Sequence, residues 1–244
     1  MSDDGAGRNP PAPRLTVLLP AYNEEPNVEE ALKRCDAALR ALGQTYEILL
    51  IDDGSQDGTA AVAEHLRDEI PSLRIIRNPL NLGVGISLLT GMRAAAGDLV
   101  LHDAMDYPFD LADLERVLPL FPESDIVVVV RKSREAHSPY RKLTSLVHHW
   151  LVRLLFLVPF RDMNFVQVYK REVLQELIVK AKSPAFVTPE LLIRARDQGF
   201  RVVEMEATFH RRHKGQANYG KPRDILWTLA DMLSFWIERT RGRA

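Results

Sequence analysis

The sequence predicts an α/β protein with a mostly parallel central sheet flanked by helices, and three observations carry that prediction. Apolar runs of strand length alternate with stretches of helical spacing through the first half of the chain. The run over 46–52, YEILLID, is rich in Ile and Leu and bounded by turn residues, as a strand buried on both faces would be. Turns rich in Asp, Asn and Gly follow these runs, at the strand ends where open α/β sheets collect ligands.

Taken in order, 15–20 reads as the first strand and 28–42 as the helix that returns the chain. Residues 46–52 form the second strand, 59–69 a helix and 74–77 a short strand. A helix over 85–96 closes at Gly97, a common helix stop, before a strand over 98–102. Leu111, Leu114, Val117 and Leu118 share one helical face within 111–121, and the β-branched run 125–130 is a strand. Strands alternating with helices imply parallel pairing through right-handed crossovers.

The second half changes character. Residues 143–158 read as a helix in which Leu146, Val147, Trp150, Leu151, Leu154, Leu155 and Val158 make a wide apolar band. Packing on the core is the expected use of that band. A membrane-surface helix, supported by Arg141, Lys142, Arg153 and the His148-His149 pair, is the alternative. Residues 189–198 form another helix, 199–204 lead a short strand, and 222–239 are an amphipathic helix bearing Trp227 and Trp236.

A length of 244 residues suits one large domain with short appendages: a tail over 1–14, a main domain over 15–221 and a terminal helix over 222–244. Hydrophobic residues at 46% suffice for a substantial core, and a net charge of −1 argues against a general nucleic-acid binder. The single cysteine, Cys35, leaves no internal disulfide, reads as a small core residue and fits a reducing cytoplasmic setting. The most apolar stretch, 151–160, is broken by Arg153 and Pro159 and is far short of the roughly 20 residues that cross a bilayer, so a soluble chain is expected. No acidic residue occurs over 211–223, which holds Arg211, Arg212, His213, Lys214, Lys221 and Arg223; the stretch suits phosphate, or is a solvated loop.

Four constellations fall at turns beside strands: PAYNEE over 20–25, DDGS over 52–55, NLGVG over 81–85 and HDAMD over 102–106. All are expected along one sheet edge. Paired carboxylates there can accept hydrogen bonds from a base or ribose, and the ordinary alternative is a solvated turn with Asp57 or Thr59 as a helix cap.

In order and spacing, LTVLLPAYNEE, YEILLIDDGSQDGT, NLGVGISLLTGM, the Asp103 region, RDMNFVQVYKREVL, TPELLIRARDQGF and RRHKGQANYGK resemble the family 2 glycosyltransferases of GT-A fold. Within that family the likeness is to the polyprenol-phosphate (dolichol-phosphate) mannosyltransferase branch, and it runs over 15–231. The resemblance implies a nucleotide-diphospho-sugar transferase fold, with Pro20, Tyr22, Glu24 and Asp53 around the base and ribose. It places Asp103 at the first carboxylate of an Asp-x-Asp motif, where hard oxygen ligands hold Mg²⁺ or Mn²⁺ against the donor diphosphate. Here the chain departs from the pattern: Met105 stands at the second carboxylate position, and the nearest carboxylate is Asp106. Either a one-residue shift of the loop brings Asp106 to the metal, the preferred reading, or Asp103 holds it with phosphate oxygens and water.

The resemblance further implies that Arg131 meets the donor diphosphate or the lipid phosphate, that Arg212 and Lys214 meet the acceptor phosphate, and that Asp162, Asn164 and Gln167 lie near the acceptor pocket. The family's Gly-x-Ser-Lys pattern is replaced by Gly215-Gln216-Ala217-Asn218, with Lys221 as a stand-in. Glu190 aligns with a glutamate that orients the acceptor or acts as base, or else it is a first-turn carboxylate beside Pro189, favourable to the helix dipole.

The expected activity is inverting transfer of a hexose, mannose or glucose, from a GDP- or UDP-sugar to a polyprenyl-phosphate-type lipid at the cytoplasmic face of the membrane. The alternatives are a soluble or polymer hydroxyl acceptor, and a non-catalytic nucleotide-sugar-binding protein. Oligomeric state is left open. Two other motifs are set aside. The spacing Asp53, Ser55, Asp57, Gly58, Glu64 fits a calcium loop, but a strand rather than a helix precedes it. Gly83 and Gly85 begin a dinucleotide fingerprint whose third glycine is Leu88.

Overall fold

The computed structural model describes residues 13–105, 109–132, 139–207 and 222–242, so Asp106, Arg212 and Lys214 lie outside the described residues. The elements are β1 (Leu15–Ala21), α1 (Glu25–Ala41), β2 (Tyr46–Asp52), α2 (Thr59–His65), β3 (Leu73–Arg77), α3 (Val84–Ala94), β4 (Leu99–His102), α4 (Leu114–Val117) and β5 (Ile126–Arg131). Then come α5 (Pro139–Phe156), β6 (Gln167–Lys170), α6 (Arg171–Glu176), α7 (Val187–Asp197), β7 (Val202–Ala207) and α8 (Pro222–Thr240).

Among the described residues the strands form one seven-stranded sheet in the order β3-β2-β1-β4-β6-β5-β7. β1 pairs in parallel with β2 and β4, β2 with β3, and β5 with β7. β6 runs antiparallel to both β4 and β5, so every other strand points the same way. The parallel α/β expectation therefore holds, with one reversed strand in the middle.

Alternation along the central strands divides their side chains between two cores. Leu15, Val17 and Leu19 of β1 join Val28, Leu32, Cys35 and Leu39 of α1 on one face. Leu18, Leu49 and Ile51 join Met92 of α3 and Leu191 and Leu192 of α7 on the other. Each fully buried Leu or Ile contributes roughly 1.5–3 kcal/mol, and burial on both faces is why these strands read as unbroken apolar runs. Cys35 is fully buried and free, as expected of a core thiol.

The later elements depart from expectation in three ways. The 111–121 segment breaks into two three-residue 3₁₀ turns around the short α4, with Pro119 in the second. Strand β6 and helix α6 had no counterpart in the sequence reading. The expected apolar band is split: Val158 is buried and Leu151 and Leu155 pack half-buried against the core, whereas Leu146, Val147, Trp150 and Leu154 face solvent; the fully buried positions of α5 are Val152 and Phe156, outside that band. Core packing thus accounts for three of its seven residues.

Close backbone contact fixes how α3 meets the 180–183 segment. A Cβ on Gly85, in the first turn of α3, would overlap the Lys182 carbonyl oxygen. Gly85→Ala should therefore destabilise the protein by about 1–3 kcal/mol, read from urea unfolding midpoints at unchanged m-value.

Candidate active site

The site is built at the carboxyl edge of the parallel strands. The Asp53 N–H donates to the Ala21 carbonyl (2.8 Å) and the Asp103 N–H to the Leu18 carbonyl (3.0 Å), so both carboxylates leave the same edge on either side of β1. Two strand spacings, about 10 Å, separate β2 from β4 across β1. The ends are also stepped: β2 pairs with β1 as far as Ala21, β4 only as far as Leu18.

Asp53 is 3% exposed, and its carboxylate is spent on the protein. Oδ1 accepts from Asn78 Nδ2 (2.8 Å) and the Leu82 N–H (3.0 Å), and Oδ2 accepts from the Gly83 N–H (2.8 Å) at the start of α3. The sequence reading sets Asp53 against a base or ribose; the structure shows it fastening the 78–83 loop that walls the cavity. Its neighbour Asp52 is fully buried and accepts from the Ser55 N–H (2.9 Å). Arg77 Nε lies 3.1 Å from Asp52 Oδ2 but off the hydrogen-bond line, so charge rather than an aligned donor balances that oxygen.

The rest of the Asp- and Ser-rich turn caps α1 from across the site. Ser55 Oγ accepts from the Asn23 N–H, Thr59 Oγ1 from the Glu24 N–H and Asp57 Oδ2 from the Glu25 N–H, at 3.0, 2.8 and 3.2 Å. In return, Asn23 Oδ1 accepts from the Gln56 N–H and Glu25 Oε2 from the Gly58 N–H. These bonds lock the PAYNEE turn to the DDGS turn. Gly54 has φ of 72°, and a Cβ there would press on the Leu80 backbone, so only glycine fits the turn.

A cavity of about 420 Å³ opens between the two turns, lined by Tyr22, Ser55, Gln56, Arg77, Leu80 and Asn81 among others. That volume is typical of a small-ligand site. Tyr22 is the aromatic side chain in this lining. Half-buried Pro20 and Glu24 stand beside this region; Glu24 Oε2 accepts from Asn27 Nδ2 (2.7 Å). Asn81 opens the NLGVG constellation, whereas Arg77 and Asn78 line the cavity without having been singled out as site residues. The signal was there, since Arg77 ends the third strand and Asn78 follows it, on the edge already singled out.

Asp103 is 3% exposed, and its Oδ1 accepts from the Ala104 N–H (2.9 Å). Met105 is buried in the core cluster that contains Phe109 and Phe165, which explains why an apolar side chain occupies the position. Among the described residues no three His, Cys, Asp or Glu side chains gather as a metal cluster. One carboxylate at this edge still suits Mg²⁺ or Mn²⁺ chemistry, because such ions are commonly held by one or two carboxylates with phosphate oxygens and water. His102 brings no positive charge here: burial pushes its pKa down to about 4 against a raising hydrogen bond to the Phe165 backbone.

At the far end of the edge Arg131 and Asp162 form a two-pronged ion pair (2.7 and 3.0 Å), and the guanidinium lies over the Phe165 ring at 5.2 Å. Asp162 thus orients Arg131. Asn164 is exposed, 3.5 Å from His148 Nδ1, whereas Gln167 is fully buried and donates to the Met163 carbonyl (3.0 Å). Glu190 is 1% exposed and accepts from the Lys180 and Ala181 N–H groups (3.1 and 2.6 Å) and from Arg194 Nε (2.7 Å). These bonds pin the 180–181 segment to α7.

The family model described as Glycosyl transferase family 2 matches residues 16–178, and the chain belongs to that family; it is a glycosyltransferase. It is 28% identical over 233 residues to an undecaprenyl-phosphate 4-deoxy-4-formamido-L-arabinose transferase of Klebsiella pneumoniae, covering 92% of this chain and 69% of that protein. A dodecaprenyl-phosphate galacturonate synthase of Rhizobium johnstonii is 27% identical, covering 90% and 65%. Among solved structures, glucosyl-3-phosphoglycerate synthase from Mycobacterium tuberculosis with phosphoglyceric acid aligns with a TM-score of 0.69 at 22% identity, covering 91% of this chain and 79% of that one. The same enzyme with Mn²⁺, uridine diphosphate and phosphoglyceric acid aligns at 0.67 and 20%, covering 92% and 78%. These structures confirm the GT-A-like fold.

Two outcomes follow from this geometry. Asp53→Asn replaces an acceptor oxygen with a donor facing backbone N–H groups, and should weaken nucleotide binding about tenfold or more by calorimetry. His148 has Nε2 buried without a partner among the described residues, and burial, aided by His149, pushes its pKa from 6.5 down to about 4. The unfolded chain therefore takes up a proton that the folded chain refuses as pH falls through 6.5 toward 4. Stability is lost across that window, by up to about 1.4 kcal/mol per pH unit, and His148→Gln should show a smaller drop in urea midpoint between pH 7 and pH 5 than the parent.

Proposed function

We propose that the protein transfers a hexose from a nucleoside diphosphate sugar to a polyprenyl phosphate, with inversion at the anomeric carbon. The observation that supports this reading most directly is the cavity beside Tyr22 and Arg77 on the same stepped edge as Asp103. The cavity takes the nucleoside: the Tyr22 ring walls the base, and Asn81 and Gln56 offer amides to its edge or to ribose hydroxyls. The diphosphate then runs along the step toward Asp103, and the sugar lies between Asp103 and Arg131.

Bond breaking leaves charge on the nucleoside diphosphate. A divalent ion held by Asp103, with Asp106 as its partner, supplies the electrostatic stabilisation of that charge when bound. Arg131, oriented by Asp162, sits where a guanidinium meets an anionic acceptor, with Arg212 and Lys214 as further phosphate contacts. A lipid phosphate oxygen is already anionic at neutral pH, so no strong general base is required, consistent with the buried, fully engaged Glu190. The relatives named for undecaprenyl and dodecaprenyl phosphate support the acceptor class. GDP- and UDP-linked mannose or glucose are the donors to try first, and the reaction belongs at the cytoplasmic membrane face.

Purified protein with Mn²⁺ or Mg²⁺ should release nucleoside diphosphate from one member of a donor panel only when a polyprenyl phosphate is present. Asp103→Ala should lower kcat by about 10²–10³-fold, and chelation should abolish turnover. Silence across a broad donor and acceptor panel would remove the proposal.

A further inference from the structure

Donor binding makes no use of the solvent-facing sides of α5 and α8. Leu146, Val147, Trp150 (62% exposed) and Leu154 (72% exposed) line α5, and Leu226 (69% exposed), Leu229, Leu233 and Trp236 line α8. The helices are neighbours, with Phe156 stacked on Phe235 at 5.2 Å. Single exposed apolar residues are ordinary, but a run of them over two packed helices marks an interaction surface.

The carboxylates of α8 fall on the side away from this surface: half-buried Asp224 lies seven residues, about two turns, before Asp231 and so shares its face of the helix. The sequence has no acidic residue over 139–161. On α8, Asp231 turns inward to accept from the Lys182 and Ser183 N–H groups (2.9 and 2.8 Å), and Glu238 pairs with Lys180 (2.9 Å) and Arg194 (3.2 Å). Exposed Arg223 and Arg241 stand at the two ends of α8, and Arg153 lies over the Trp150 ring at 6.0 Å. Leucines and tryptophans flanked by arginines, without carboxylates, match an anionic bilayer surface. A second copy fits less well, since a self-complementary contact would set arginines against arginines.

The surface also communicates with the site. β5 and β7 run parallel to β1, so the chain leaves the sheet at the site edge before entering α5 and α8. Trp227 approaches Gly83, at the end of the loop that Asp53 fastens. Among the described residues no helix is long and apolar enough to cross a membrane. We infer that the paired outer faces of α5 and α8 lie on the headgroup layer of an anionic bilayer and hold the strand-end edge at the depth of a lipid-borne phosphate. This inference rests on the lipid-phosphate reading of the acceptor, and binding is measured apart from turnover so that the two fail separately.

The test is co-sedimentation of the full chain with phosphatidylcholine vesicles, with and without phosphatidylglycerol. Binding should require the anionic lipid. Trp150→Glu with Leu154→Glu, and Leu229→Glu with Leu233→Glu, should each weaken it about tenfold or more while leaving the unfolding midpoint in place. Those variants should turn over a water-soluble short-chain prenyl phosphate at the parental rate and lose activity on long-chain acceptor in vesicles. Vesicle binding without any turnover would sink the acceptor reading and leave the surface standing. Parental chain that ignores anionic vesicles, variants that bind as the parent does, or substitutions that split a dimer with no change in vesicle binding would overturn the inference.

Discussion

A carboxylate removed from water must find a donor for each oxygen, and Asp53 meets that demand by organising the chain around it. Burying an unpaired carboxylate would carry a penalty of several kcal/mol. Asn78, Leu82 and Gly83 supply the donors, so the 78–83 loop has one arrangement available to it. Asn78 in turn reaches Ser87 Oγ (3.0 Å) and donates its backbone N–H to the Asp52 carbonyl (2.8 Å), which ties β2, the loop and α3 together. The negative charge also sits at the α3 N-terminus, where the helix dipole favours it. Tyr22, Arg77 and Asn81 can face a common cavity because this one side chain holds the wall in place.

A second buried charge does related work in the other half of the molecule. Glu190 binds the backbone of 180–181 and Arg194; Arg194 reaches Glu238 of α8 and lies over Phe235 at 4.6 Å. Asp231 of α8 binds the next two N–H groups, and Lys182 closes on Gly85 of α3. A continuous set of contacts thus runs from α8 through the 180–183 segment to the first turn of α3. Each such charge pair is strongly stabilising only while both partners are present, since losing one leaves the other buried alone.

The sheet edge was legible in the sequence because β1, β2 and β4 are covered on both faces and therefore read as apolar runs with abrupt polar ends. Strand β6 was not, being four residues long and carrying Gln167 and Lys170, whose burial and pairing depend on distant partners. Charged pairs resisted reading for a similar reason: Arg131 and Asp162 lie 31 residues apart, and nothing local announces their contact. Asp53 stood out at the strand end, but its bonds to Asn78, Leu82 and Gly83 did not, since they come from a loop whose path sequence alone does not give. The α5 band misled because hydrophobicity marks a helix face without stating whether protein or another apolar phase will cover it.

Burial of Met105 sets what a substitution at that position could achieve. Its side chain is packed with the cluster under α1 rather than offered at the sheet edge. Met105→Asp would plant an ion beside Phe109 and Phe165 instead of supplying a cation ligand. A second carboxylate at this position would thus need a reshaped loop as well as a new side chain.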